Sequence, residues 1–255
     1  MKRVIDALKT VNYKLWIAIL SLMILPSIYM TVRIYFLGQL PNEWGVNIAS
    51  QLQYVNLFYE VIQEALILPL FFIIGKVIHD RDEFQNRTKS GLLITALIYF
   101  FASLIIVIFA RQIVVFMAQD QSLVSSTVDY IRLETFAALF STLTRFIMLV
   151  LILLKKDKLM YIILGFQMVT TIILDTFLVS SLPVSLNLGV NGVAITNIFV
   201  NVMMLTIAFV LLKREGINVF TKEKMRFDWL KDWFRVGKYS GLESLLRNLA
   251  FSLMI

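Results

Sequence analysis

The run Leu92-Leu-Ile-Thr-Ala-Leu-Ile-Tyr-Phe-Phe-Ala-Ser-Leu-Ile-Ile-Val-Ile-Phe-Ala110 carries no charged residue over nineteen positions. A helix needs about 20 such residues to cross a hydrocarbon core of about 30 Å. This stretch therefore reads as a membrane-spanning helix, and comparable runs lie on both sides of it. Spans are predicted over about 15–37, 50–75, 91–116, 127–154, 159–182 and 190–212, with a seventh beginning near 239. The predicted fold is all-α, a polytopic membrane helix bundle of six transmembrane helices plus an incomplete seventh.

Composition agrees with that class. Of the 255 residues 59% are hydrophobic and 16% charged, against roughly 25% charged in soluble domains. Four Pro and ten Gly leave long helices uninterrupted. The net charge of +7 does not point to nucleic acid, because the Lys and Arg fall between apolar runs instead of on one face of a soluble module. The expected partner is the lipid bilayer. The absence of Cys excludes a disulfide framework, a thiolate metal site and a cysteine nucleophile. The first apolar run is too long for a cleavable signal and lacks a small-residue cleavage site. No Gly-rich phosphate loop, nucleophile elbow or paired-carboxylate arrangement is present, so no catalytic residue is assigned and no enzymatic activity is expected. His79 is the single histidine and by itself makes no metal site.

Basic residues in short connections stay on the cytoplasmic side during insertion. They occur in the N-terminal tail (Lys2, Arg3, Lys9, Lys14), the second connection (Lys76, Arg81, Arg87, Lys89), the fourth (Lys155, Lys156, Lys158) and the sixth (Lys213, Arg214, Lys222, Lys224, Arg226, Lys231, Arg235, Lys238). The first and fifth connections have none, and the third has little beyond Arg111. This alternation predicts a multi-pass protein of the cell (inner or plasma) membrane with a cytoplasmic N-terminus. Residues 213–238 interleave these charges with Met225, Phe227, Trp229, Trp233 and Phe234, a pattern that predicts an amphipathic helix on the membrane surface. The expected division is a six-helix lobe over 1–212, a cytoplasmic amphipathic connection over 213–238, and the start of a second lobe over 239–255. The last apolar run ends at Ile255 after about 16 residues of a span that needs roughly 20. The sequence is accordingly expected to be cut off, as a fragment, a split-gene product or a truncated frame would be.

Four segments carry a family resemblance: Val32-Arg-Ile-Tyr-Phe-Leu-Gly-Gln-Leu40, Ile172-Ile-Leu-Asp-Thr-Phe-Leu178, Leu188-Gly-Val-Asn-Gly-Val-Ala-Ile195 and Gly241-Leu-Glu-Ser-Leu-Leu-Arg-Asn-Leu-Ala250. In order and spacing they resemble the multidrug and toxic compound extrusion (MATE) transporters, over nearly the whole chain. The resemblance implies the N-terminal lobe, plus the start of the seventh helix, of a twelve-helix cation-coupled antiporter. It further implies export of a small organic, drug-like compound against H⁺ or Na⁺, with no cofactor beyond that coupling ion, and a second lobe or another copy as partner. The alternatives are a lipid-linked oligosaccharide flippase of the same superfold, which would use a cationic cavity, and an inactive truncated fragment.

Charged residues within spans are expensive and ask for a partner, a cavity or a function. Those toward the middle of a span are Arg33, Glu60, Glu64, Glu134, Arg145, Asp175, Glu243 and Arg247. The resemblance places an acid of the ion site at Asp175. The family's second acid, in the first span, is replaced by Arg33, which either neutralises Asp175 or snorkels to the headgroups. Gln167 and Thr171 precede Asp175 by two turns and one. Asn197 and Asn201 form a stripe at i, i+4 that lines a cavity or joins helices. Glu60 and Glu64 share a helix face, as a replacement ion site or as a structural pair with Arg145. Glu243 is expected to pair with Arg247 within one helix. Ion coupling is thus assigned to Asp175, Glu64, Glu60, Thr171 and Asn197, and the substrate pathway or charge pairs to Arg33, Arg145, Gln167, Asn201 and Glu243.

Overall fold

A computed structural model describes residues 13–40, 44–221 and 224–254. Lys2, Arg3, Lys9, Lys222 and Ile255, used above for orientation and chain length, lie outside the described residues. The helices are α1 (Tyr13–Gly38), α2 (Trp44–Ser50), α3 (Leu52–Gly75), α4 (Arg81–Phe116), α5 (Val124–Leu153), α6 (Asp157–Leu178), α7 (Gly189–Arg214) and α8 (Leu230–Met254). No strand occurs among the described residues. Five stretches are long and apolar enough to cross a membrane: Trp44–Gly75, Arg81–Phe116, Val124–Leu153, Lys158–Leu178 and Gly189–Arg214. Tyr13–Gly38 adds a further apolar helix of 26 residues.

Helix ends follow local chemistry. Asp80 caps α4, its carboxylate accepting from the Glu83 N–H at 3.1 Å, while Asp82 and Glu83 place negative charge at the positive helix end. This cap starts α4 about ten residues before its apolar run. With 36 residues the helix is about 54 Å long and extends nearly three polar turns beyond the apolar run. The C-terminus of α7 closes with Gly216 at φ +83°, where the Gly216 and Ile217 N–H groups return to the carbonyls of Lys213 (3.0 Å) and Leu212 (3.1 Å). That is a Schellman closure, and it needs a residue that tolerates the left-handed region.

The bundle is built on α5. It packs against α4 and α7, α6 leans on α7, and α1 rests on α6. At Gly192 a Cβ would lie 2.8 Å from the Leu178 carbonyl oxygen, so glycine permits the close α6–α7 approach. Buried Leu70, Ile73, Phe146, Ile147, Leu151 and Leu212 fill the core at the basic end of the bundle. Val55, Ile67, Tyr99, Ile106 and Ile131 fill it further along. Phe100, Phe101, Ile105, Ile108 and Phe109 form an exposed apolar face on α4, where lipid replaces water as solvent.

The segment 213–238 departs from expectation. Residues 215–221 and 224–229 are not helical, and the last helix starts at Leu230, not near 239. Its two tryptophans anchor on protein, whereas Phe227 and Phe234 are exposed. Trp229 and Trp233 are buried, their indole N–H groups donating to Ser90 Oγ (3.2 Å) and the Leu66 carbonyl (3.0 Å). The polar start of α4 holds the same segment. Glu83 pairs with Arg226 and with Arg87 (2.8 Å), Asn86 accepts from the Arg226 N–H at 2.8 Å, and Lys89 donates to the Thr221 carbonyl. Buried indoles with satisfied N–H groups favour docking over surface exposure.

Candidate functional site

Because α1 rests on α6, Arg33 meets Asp175. Arg33 Nε donates to Asp175 Oδ2 at 2.7 Å and Nη2 to Oδ1 at 3.3 Å, a two-pronged contact with exposures of 8% and 1%. Such depth removes the snorkelling alternative for Arg33. Thr171, one turn before Asp175, is also buried.

A second acid completes the cluster. Glu134 on α5 is 5% exposed and accepts from the Asn197 amide of α7 at 2.7 Å. Tyr130, one turn earlier on α5, is buried as well. The Asn201 amide donates to the Asn197 carbonyl at 2.8 Å. The asparagine stripe thus orders Glu134 and lines the cavity as well. Glu134 appeared in the sequence only as one more charge within a span, and no role was attached to it. No spacing in the sequence singles it out, because its place depends on which face of α5 meets α7.

Beside the cluster lies a cavity of about 440 Å³, lined by Arg33, Tyr59, Gln63, Tyr99, Tyr130, Glu134, Arg145, Gln167, Thr171, Asn197 and Asn201, among others. Tyr59 and Tyr99 stack with ring centres 5.6 Å apart and planes within 6°. Tyr59 shares a hydrogen bond with Ser103 at 2.9 Å, and Tyr99 donates to the Tyr59 carbonyl at 3.3 Å. A few polar groups converging on an aromatic cavity of this size are the usual makings of a small-molecule site.

Glu60, Glu64 and Glu243 do not line this cavity. The expected partnership of Glu60 and Glu64 with Arg145 is replaced by one with Arg247. Glu64 pairs with it and Glu60 Oε1 lies 3.7 Å from Arg247 Nη2, because α3 packs along α8. Arg145 faces the cavity and donates to Gln63 Oε1 at 2.9 Å. The expected Glu243–Arg247 pair does not form, since Arg247 is turned to α3 and Glu243 is exposed. His79 is exposed, and no group of three potential metal ligands occurs among the described residues.

No family profile and no curated protein matches the sequence. Solved structures do match the fold. A MATE transporter in complex with MaD3S superposes with a TM-score of 0.77 at 16% identity, over 90% of this chain and 52% of that one. The fold is that of a MATE transporter lobe. The Vibrio cholerae MATE transporter VcmN, as an Asp-to-Asn mutant, gives 0.73 at 15% identity over 91% of this chain and 51% of its own. A MOP superfamily transporter from Pyrococcus furiosus, whose binding pocket is described as having a reverse polarity that suggests a different function, gives 0.75 at 17% over 90% and 51%. The chain spans about half the length of these MATE-fold structures, a coverage that fits the N-terminal lobe.

Proposed function

We propose that this chain serves as one lobe of a MATE-like secondary transporter, in which Arg33, Asp175 and Glu134 form a single cation-coupling unit beside the substrate cavity. The supporting observation is a buried Arg33–Asp175 ion pair on the same cavity as a second buried carboxylate, Glu134, whose hydrogen-bond partner is the neutral Asn197 amide. With all three ionised the cluster carries a net charge of −1 in a medium that tolerates uncompensated charge poorly. One bound H⁺ or Na⁺ neutralises it. Asp175 is committed to Arg33, so Glu134, held only by neutral partners, is the group that exchanges the ion, and the paired Asp175 sets the field around it. In this reading Glu60 and Glu64 do not carry the ion; they bind α8 through Arg247. The N-terminus is cytoplasmic, and a second lobe or another copy supplies the surface against which this lobe rocks.

Arg145 gives the flippase alternative one cavity cation. Arg33, the other cation that reading requires, is spent on Asp175. Proteoliposomes carrying the chain, alone and with a partner lobe, test the proposal through flux of ethidium and of a fluorescent naphthalene sulfonate, each driven by a pH or sodium gradient. Expected is gradient-driven flux that Glu134→Gln reduces to the empty-liposome level while insertion is unchanged. Full flux in Glu134→Gln removes this residue from coupling.

A further inference from the structure

The cavity holds one cation that no carboxylate compensates. Arg33 also faces it, but its guanidinium is engaged by Asp175. Arg145, eight residues before α5 ends at Leu153, is exposed within the cavity wall. Its Nη1 donates to the Gln63 amide at 2.9 Å, a neutral partner that orients the planar fork and leaves its other N–H groups available. No carboxylate pairs with it among the described residues, because Glu60 and Glu64 are turned to Arg247. The stacked Tyr59 and Tyr99 rings line the same cavity. An unpaired guanidinium within a membrane span is costly unless it meets water or a ligand.

We propose that Arg145 is an anion-binding subsite, taking the carboxylate, sulfonate or phosphate of an organic molecule whose ring or chain lies along Tyr59 and Tyr99. This rests on reading the cavity as the substrate path, and it narrows the small organic compound implied by the resemblance to an anionic or zwitterionic amphiphile. A guanidinium fork suits such oxyanions because it donates two parallel hydrogen bonds.

The test uses a matched pair of probes, naphthalene-2-sulfonate and naphthyl-2-trimethylammonium, titrated calorimetrically into the chain in phosphatidylcholine nanodiscs. Expected is sulfonate binding that weakens by about tenfold or more in Arg145→Gln, the loss of one charge-assisted contact. Arg145→Lys retains part of it, and binding of the trimethylammonium probe is the same in all three proteins. Part-replacement of the lipid by phosphatidylglycerol separates two sources of the anion. Competition supports the subsite with a lipid headgroup as occupant, and no competition supports it with a soluble anion. Equal sulfonate binding by the chain and Arg145→Gln overturns the proposal, as does absence of sulfonate binding by the unaltered chain. If Arg145→Gln fails to insert, the unaltered chain decides by its preference, and stronger binding of the trimethylammonium probe overturns the subsite. Binding is read without transport, so a chain that binds sulfonate through Arg145 and moves nothing counts against the transporter reading alone.

Discussion

Arg33 decides the character of the coupling cluster, because its guanidinium is the buried ion-pair partner of the buried Asp175 carboxylate. Removing one partner of a buried pair strands the other charge, at a cost of about 3–5 kcal/mol, whereas removing both with apolar residues of similar size is often neutral. Arg33→Met is therefore expected to destabilise the chain strongly, with Arg33→Met/Asp175→Leu recovering most of the loss. Thermal unfolding in detergent measures both. A double variant no more stable than the single one contradicts the pairing as the main role of Arg33. Sequence alone could anticipate this contact, since a buried carboxylate needs a cation and Arg33 stands where the resembling family has an acid. It could not identify Glu134 as the second acid, which depends on the rotation of α5 that turns this residue toward Asn197.

The α3–α8 pair shows why other contacts were not legible. Pro69 inside α3 has no N–H to offer the Ala65 carbonyl. The Gly237 backbone approaches this carbonyl so closely that any Cβ would collide with it, and a Cβ on Gly241 would lie 2.7 Å from that of Ala65. Ser240 Oγ adds a hydrogen bond to the Glu64 carbonyl at 2.8 Å. This small-residue face seats α8 and carries Arg247 over Glu64. The run-length signal that located the spans contains no such information, because close approach depends on which faces of two distant helices meet. The same packing places Trp233 on α3 and starts the last helix at Leu230. Gly241→Leu is expected to unseat α8, seen as a red shift of the Trp fluorescence. An unchanged spectrum in Gly241→Leu contradicts tight seating.

On the scale of the whole molecule, orientation and coupling are the properties that turn a bundle into a transporter lobe. His79 and Asn187 are exposed and sit in connections at opposite ends of the bundle. Single Cys residues at 79 and 187 in this Cys-free chain are expected to react from the cytoplasmic and external sides respectively. Labelling at 79 only from outside inverts the assignment. The spans themselves were legible from apolar run length, and the MATE-like architecture from four short segments in order. The cavity was not legible, because it is enclosed by residues from helices far apart in sequence. The central claim is that Glu134 exchanges a cation beside a fixed Arg33–Asp175 pair. It is tested most directly by the infrared difference spectrum of the purified chain between high and low pH, with and without sodium. Expected is a protonated-carboxyl band that grows on acidification, is reduced by sodium if sodium competes for the site, and is absent in Glu134→Gln. A band that persists unchanged in Glu134→Gln, or no titrating carboxyl band at all, contradicts the claim.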